Sequence, residues 1–264
     1  MKIASRNVNG IRAILWKGFT ERVKASSPDI ICLQEVKALA NQIPPELRFY
    51  LPEYTVIWHQ WMRPWYAGTA ILYRSNTTKP SSEPNLDTET ELTEDGRLTQ
   101  LNFTYNDQEI ALLNFYFPNG GPRADGTPML PSKLKFYEKY IAYIKELEKA
   151  EKLVISTGDF NVCHHPIDIA RPEANKDSIG FLPIERAEMD KLENEHFIDV
   201  FRHFNPTLAD QYTWRSYRGG ARERNVWWRL DYFRVSEKIL PLVKSITHQT
   251  QVQGSDHCPI MLEI

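Results

Sequence analysis

Gly158-Asp159-Phe160-Asn161 closes the apolar run Leu153-Val154-Ile155-Ser156-Thr157. A short run of this kind ending on glycine reads as a buried strand that delivers its next residues into a loop. Packing gives no reason for an aspartate two places from an asparagine there. Asp offers a charge or a proton acceptor and Asn one donor and one acceptor, so the pair can orient a reacting water beside a metal or a phosphate. The bland alternative is an Asx turn.

Similar polar groups follow other strand-like runs. Pro28-Asp29-Ile30-Ile31-Cys32-Leu33-Gln34-Glu35 ends in a carboxylate, which is expensive at the end of a buried strand unless it is paired or binds a cation. Tyr116 and Asn119 stand where Pro118 stops a strand, and Asn7 precedes Val8-Asn9-Gly10, since proline cannot continue a central strand. Near the carboxyl terminus, Asp256-His257 can combine with Asp231, the odd member of the alternating run 229–235. A carboxylate accepting one ring N–H fixes the imidazole's tautomer and raises its basicity, and the protonated ring can then neutralise a phosphate oxygen.

The pool of Glu35, Asp159, Asp231 and Asp256 with Asn7 and Asn161 consists of hard oxygen ligands, suited to magnesium or manganese rather than zinc. A hard cation, an Asp-oriented histidine and an amide-assisted aspartate are what phosphodiester hydrolysis requires, with Asp159 deprotonating the attacking water. No Gly-x-Ser-x-Gly elbow or reactive-cysteine signature points to acyl chemistry. The adjacent His164 and His165 read as loop packing, because neighbouring residues rarely share a metal.

These groups need elements to position them. Strands are expected over Lys2–Val8, 28–35, two runs within 54–73, 98–105, 109–117, 153–157, 229–235 and 260–264. Helices are expected over 11–25, 133–152 and 184–195, with a polar crossover at 79–96 and a long loop at 164–180. Alternating halves of strand and helix with late polar loops imply an α/β fold, a four-layered sandwich of two packed sheets flanked by helices.

With 264 residues, 42% hydrophobic and without a linker, the chain is read as one domain, 1–264. No run of about 18 apolar residues marks a membrane span, and Met1 leads directly into a strand pattern without a signal-peptide core. Cys32, Cys163 and Cys258 lack zinc-ligand spacing, and their odd number argues against a disulfide framework; a reducing, cytoplasmic setting is expected. A net charge of −2 and a pI near 6.4 argue against nonspecific nucleic-acid coating, which needs a broad positive surface. They leave room for a local groove. Between positions 215 and 234 six arginines face only Glu223 and Asp231, interleaved with Trp214, Tyr217, Trp227, Trp228, Tyr232 and Phe233, a mixture that suits a phosphate backbone with an exposed sugar or base. The alternative is a solvated arginine face beside core aromatics.

Asn7-Val8-Asn9-Gly10-Ile11-Arg12, Leu33-Gln34-Glu35, Tyr116-Phe117-Pro118-Asn119, Gly158-Asp159-Phe160-Asn161, Trp228-Arg229-Leu230-Asp231-Tyr232-Phe233 and Ser255-Asp256-His257-Cys258-Pro259 together resemble the signatures of the exonuclease III family of apurinic/apyrimidinic endonucleases. They run through nearly the whole chain in that family's order. The resemblance implies a deoxyribonuclease I-like fold and a magnesium-dependent enzyme, with manganese as the alternative ion. It implies DNA repair by cleavage 5′ to abasic sites, with 3′-to-5′ exonuclease and 3′-phosphatase activities. The expected partner is double-stranded DNA with abasic sites or 3′ ends, with no membrane, handled by a monomer.

The resemblance also assigns roles. Glu35 would hold the metal, with Asn7 and Asp256 near it and Asp159 and Asn161 in the same ligand pool. Asp159 would activate water or handle the leaving group, Asn161 and Asn119 would position the phosphate, and Tyr116 would contact the phosphate or leaving oxygen. His257, oriented by Asp231, would bind the phosphate. Trp214, Trp228 and Leu230 would wall the pocket for the extruded abasic sugar, which fits where a full nucleotide clashes. Tyr66, Arg97 and Asn175 would touch the DNA backbone.

Several positions depart from the family pattern. Arg6 stands where an aromatic, usually Trp, precedes the first Asn; Trp65 and Trp227 replace usual glycines; Arg215 replaces a frequent aromatic; His165-Pro166 replaces residues commonly polar or acidic. Two expectations follow: Trp65, Arg215 and Trp227 strengthen the grip on DNA, or Trp227 narrows the sugar pocket and shifts activity toward exonuclease. Competing readings of the whole chain are a related metal phosphoesterase acting on lipid head groups or nonspecific DNA, and a catalytically dead DNA-binding module. Retention of every ligand and of the Asp-His pair counts against the last.

Overall fold

The structure is a computed structural model that describes residues 1–59, 66–82, 92, 96–215 and 227–264. Trp65, most of the crossover at 79–96, and Tyr217, Arg218, Arg222, Glu223 and Arg224 of the basic and aromatic span lie outside the described residues.

Strand β1 (Lys2–Asn7) passes through helices α1 (Ile11–Leu15) and α2 (Phe19–Ser26) into β2 (Ile30–Gln34). The apolar spacing over 11–25 predicts one helix, but Gly18 adopts a left-handed φ of 75° and caps α2, a conformation open to glycine at little steric expense. Helix α3 (Pro45–Tyr50) precedes β3 (Tyr54–His59) and β4 (Thr69–Arg74), which pair antiparallel. Strands β5 (Leu98–Tyr105) and β6 (Gln108–Tyr116) form the expected hairpin about Asn106-Asp107.

Helix α4 (Leu130–Lys149) then leads to β7 (Leu153–Asp159). The helix starts three residues ahead of the apolar pattern because Pro131 is tolerated in its first turn, and β7 runs on to include Asp159 itself. The expected loop at 164–180 carries the short helix α5 (Pro172–Asn175), after which come α6 (Pro183–Asn194), β8 (Phe197–Asp199) and α7 (Val200–Phe204). The two-residue strands β9 (Trp214–Arg215) and β10 (Trp227–Trp228) make a small ribbon, followed by β11 (Asp231–Ser236), β12 (Ser245–His248) and β13 (Ile260–Glu263).

Two mixed sheets result, ordered β12-β13-β1-β2-β4-β3 and β5-β6-β7-β11-β8. They face each other across a core of Ile3, Ile30, Cys32, Ile71, Leu101, Leu112, Ile155, Phe233 and Leu262. Phe115, Phe117, Phe136, Tyr140 and Phe160 pack the second sheet against α4. Ile11, Ile14, Phe19 and Val23 pack the first sheet against α1 and α2. This is the four-layered sandwich with helices outside. Cys32, Cys163 and Cys258 are free and buried. Among the described residues no helix is long and apolar enough to cross a membrane.

Candidate active site

The sheet registers bring the polar residues together. Asn7 ends β1 opposite Gln34 of parallel β2, and Glu35 follows at once. In the other sheet Asp159 ends β7 with Tyr116 of β6 on one side and Asp231 of β11 on the other. Gly158 makes that packing feasible: its φ is 134°, and an added Cβ would lie 1.9 Å from the Phe115 carbonyl oxygen. Only glycine lets the neighbouring strands meet there.

Asn7 joins the two sheets at this edge. Its fully buried side chain donates from Nδ2 to Glu35 Oε1 at 2.8 Å and to Asp159 Oδ2 at 3.0 Å. It therefore lies between the carboxylates as a donor, holding them together. Asp159 Oδ1 accepts the Asn161 backbone N–H at 2.9 Å. Burial pushes the Asp159 carboxyl up to about 7; His257 opposes the rise, whereas Asp231 and Glu35 add to it. Asn9, Glu35, Lys37 and Asn161 have φ between 47° and 54°, a region non-glycine residues enter sparingly and which clusters at functional sites.

His257 occupies the same edge. Its Nδ1 lies 2.8 Å from Asp231 Oδ2 and its Nε2 3.7 Å from Asp159 Oδ2. Burial disfavours the charged ring, but Asp231 and then Asp159 outweigh it and raise the imidazole to about 10. The ring is thus an imidazolium at neutral pH. Thr213 Oγ1 accepts the backbone N–H groups of Leu230 and Asp231 at 3.0 Å each, which fixes the start of β11. Asp256 reaches the cluster indirectly: Asn9 Nδ2 donates to its Oδ1 at 3.1 Å and Trp214 Nε1 to its Oδ2 at 3.3 Å.

Tyr116 is half-buried and its hydroxyl is held well above the usual range by burial, then by Glu35 and Asp159, so it stays a proton donor. Arg97, only 4% exposed, lies beneath Tyr116 and Tyr66, with its guanidinium 5.1 and 5.5 Å from their ring centroids. It donates to the Tyr66 hydroxyl at 2.8 Å and to the Tyr116 carbonyl at 3.2 Å. Arg97 supports these rings from below, while Tyr66, 41% exposed, forms the surface. Asn175 is likewise committed to its own loop, donating to the Ala170 and Arg171 carbonyls at 3.1 and 3.0 Å.

Asn161 turns its amide away from the carboxylates. Its Nδ2 donates to the Phe117 carbonyl at 2.9 Å and its Oδ1 accepts from Asn119 Nδ2 at 3.2 Å. It meets Asp159 through its main chain, and its side chain faces Asn119 and the Phe117 carbonyl. Trp214 and Trp228, both half-buried, stand edge to face with centroids 6.0 Å apart, over a patch that includes Leu230, Ile169 and Phe181. The three residues expected to form an apolar wall thus pack together.

Trp227 does not face it. Register pairs Trp227 with Arg215 and Trp228 with Trp214, so the two pairs point to opposite sides of the ribbon. The Arg215 guanidinium lies 3.4 Å from the buried Trp227 ring centroid. Arg6 is also buried, donating from Nε to the His257 carbonyl at 3.2 Å and from Nη2 to the Gln253 carbonyl at 3.1 Å. Two of the departures from the family pattern thus brace the loop that carries His257: Arg215 N–H donates to the Asp256 carbonyl at 3.0 Å.

Glu35 and Asp159 supply hard oxygens, and Asp231 Oδ1 is buried without a hydrogen-bond partner. Lys37 Nζ already rests 2.5 Å from Glu35 Oε2 and 2.6 Å from Asn9 Oδ1. This surplus of negative charge in oxygen donors fits a hard divalent cation. Among the described residues two groups have the spacing for an ion: Asp159, Asp231 and His257 at this edge, and His164, His165 and Glu193. There the Arg234 guanidinium comes within 3.4 Å of His164 Nδ1 and 3.9 Å of Glu193 Oε1, a positive charge that opposes a cation. The two imidazoles stack at 3.7 Å, in keeping with loop packing.

Asn9, Lys37, Thr213, Lys133 and Glu185 complete the surroundings; apart from Asn9, none of them stands in the strand-end motifs. Asn9 reads as turn chemistry before Gly10, although an amide two places from Asn7 is also the spacing that reaches Asp256.

The model of the endonuclease/exonuclease/phosphatase family matches residues 7–257. An exodeoxyribonuclease of Bacillus subtilis is 36% identical over 100% of this chain and 99% of its own length. A DNA-(apurinic or apyrimidinic site) endonuclease of Dictyostelium discoideum is 37% identical over 98% of this chain and 69% of its own. Among solved structures, the AP endonuclease LMAP from Leishmania major superposes with a TM-score of 0.86 at 26% identity, covering 99% of this chain and 86% of that one. Relatives of this identity and reach, on the same two-sheet architecture, leave one assignment: the chain belongs to the endonuclease/exonuclease/phosphatase family.

Proposed function

We propose that the protein is a DNA-repair phosphodiesterase that cleaves the backbone 5′ to abasic sites and also acts on 3′ ends as an exonuclease and phosphatase. The observation that carries this reading is the meeting of Glu35, Asp159 and His257 at one edge of the sandwich, with Asn7 bonded to both carboxylates. The relatives named for exodeoxyribonuclease and abasic-site endonuclease activity support the DNA substrate. The whole chain acts as one catalytic domain, as a monomer, in the cytoplasm.

Magnesium is the proposed ion: Glu35 and Asp159 would hold it, with Asn7 and Asp256 near it, and it would supply charge stabilisation at the phosphate oxygens. The chain's own groups do the rest. Asp159, oriented by the Asn161 main chain, accepts the proton of the attacking water. His257, kept protonated by Asp231, directs Nε2 at a phosphate oxygen, a charge-assisted contact stronger than a neutral one. Tyr116 donates its hydroxyl to the phosphate or the leaving oxygen. Asn119 and Asn161, their side chains bonded to each other, position the phosphate from one side. Trp214, Trp228 and Leu230 accept the baseless sugar, whose extrusion sacrifices little stacking, and Tyr66 rests on the adjoining backbone.

A duplex with one abasic site, incubated with Mg2+ or with EDTA, tests the reading. Cleavage 5′ to the lesion, leaving a 3′-hydroxyl and abolished by EDTA, is the expected result. A band shift insensitive to EDTA without cleavage would make the protein a binding module.

A further inference from the structure

Lys133 lies on α4, the amphipathic helix to which the site reading assigns no part. It is fully buried, and its ammonium makes three contacts: Nζ donates to the Asn119 carbonyl at 3.0 Å, to the Asn161 carbonyl at 2.8 Å and to Glu185 Oε1 at 2.5 Å. An ammonium has three N–H donors, so this one is saturated. Glu185, also fully buried, uses its other oxygen to accept the Gly180 and Leu182 N–H groups at 2.6 and 3.2 Å.

Three stretches that are far apart in sequence therefore meet on one buried ion pair. One follows β6 and carries Asn119; one follows Asp159 at the end of β7 and carries Asn161; the third leads into α6. Above the ammonium, the side chains of Asn119 and Asn161 bond each other at 3.2 Å. The two residues are thus linked twice, by side chains toward the cleft and by carbonyls through Lys133 from below.

A buried ion pair is weak evidence of stabilisation, because desolvation offsets much of the attraction. Its geometry here has a different consequence. We propose that Lys133 is a positioning residue for the reaction: its ammonium sets the spacing between the Asn119 and Asn161 loops, and through the Asn161 main chain the orientation of Asp159. This rests on the reading of Asn119 and Asn161 as the groups that hold the phosphate. Sub-ångström placement matters for such groups, since a shift of about 1 Å can reduce a rate by roughly 10²-fold.

The test compares Lys133→Met, the neutral pair Lys133→Gln with Glu185→Gln, and Asn161→Ala in the full chain. Steady-state kcat and KM are measured on an abasic duplex with Mg2+ at a temperature where circular dichroism shows each variant folded. Lys133→Met is expected to reduce kcat by about 10- to 100-fold with KM little changed, because binding groups remain while alignment is lost. If Lys133→Met does not fold, the neutral pair decides, since it leaves no uncompensated buried charge. A folded variant with wild-type kcat overturns the inference. If Asn161→Ala also cleaves at the wild-type rate, the phosphate-holding reading itself fails; if only Asn161→Ala is slow, the role of Lys133 alone is refuted.

Discussion

His257 Nδ1 stands 2.8 Å from Asp231 Oδ2, and the two residues come from opposite sheets of the sandwich. Asp231 opens β11 in the five-stranded sheet, while His257 sits in the turn ahead of β13 in the six-stranded one. The pair therefore closes the same cleft edge that Asn7 closes between Glu35 and Asp159. Its chemistry and its contribution to stability are coupled.

Asp231→Asn removes the charge that keeps the imidazole protonated. The alkaline limb of the pH–rate profile is expected to move to lower pH, and kcat at neutral pH to drop by about 10²- to 10⁴-fold. Stability gives an independent readout in EDTA. The imidazole is raised from 6.5 to about 10 in the folded state, so its stabilisation is complete below the unfolded value and is lost as pH climbs toward the folded one. The unfolding free-energy difference between wild type and His257→Gln should shrink across that window; a pH-independent difference contradicts the assignment.

Gly158→Ala tests whether strand packing places Asp159. The positive φ alone destabilises by more than about 1 kcal/mol, and the Cβ would sit 1.9 Å from the Phe115 carbonyl oxygen. Urea denaturation should show a large loss, and any folded fraction should cleave poorly because β7 can no longer lie against β6 at that point. Wild-type stability and activity together would refute the packing argument.

Arg229→Met tests the support under the apolar patch of Trp214, Trp228 and Leu230. Arg229 points away from Trp228 and Leu230 into the interior, bonding Asp168 twice at 2.8 Å and Asp199 at 2.7 Å. Burial opposes ionisation of Asp168, but Arg229 and Arg202 hold its carboxyl well below the usual range. Removing one partner of such a cluster strands a buried charge and should destabilise by about 3–5 kcal/mol, measured by urea denaturation at neutral pH. A change near zero would mean that the cluster is dispensable.

The ribbon geometry separates the tryptophans. Trp228→Ala should reduce kcat/KM on an abasic duplex by about 1–3 kcal/mol of transition-state binding, of the order of ten- to hundredfold. Trp227→Leu should leave the ratio of abasic cleavage to 3′-end degradation unchanged, since Trp227 lies under Arg215 on the other side of the ribbon. An altered ratio would restore the idea that Trp227 tunes substrate choice.

Much of the site is legible in the sequence because strand ends concentrate it. Glu35, Tyr116 and Asp159 each stand at or just past the end of a largely apolar strand, and Asn7 stands at the end of the first strand. The sandwich is legible for the same reason, since both sheets are built from such runs. What escapes depends on three-dimensional proximity or on phase. Gly18 splits the first helix through a left-handed φ that apolar spacing does not encode. Leu134 and Ile141 look like core residues of α4, yet the fully buried positions are Lys133, Tyr137 and Tyr140. A lysine four residues before Tyr137, and hence in phase with the buried stripe, is the trace that Lys133 leaves in the sequence. Arg97 reads as a surface cation, but two tyrosines cover it.

The central claim is that Asp159 acts on water at a phosphate held by these converging groups. Single-turnover cleavage of an abasic duplex by Asp159→Asn, with DNA affinity measured in parallel, tests it most directly. The account predicts retained binding and cleavage slower by about 10²- to 10⁴-fold; cleavage at the wild-type rate by the folded variant would contradict it.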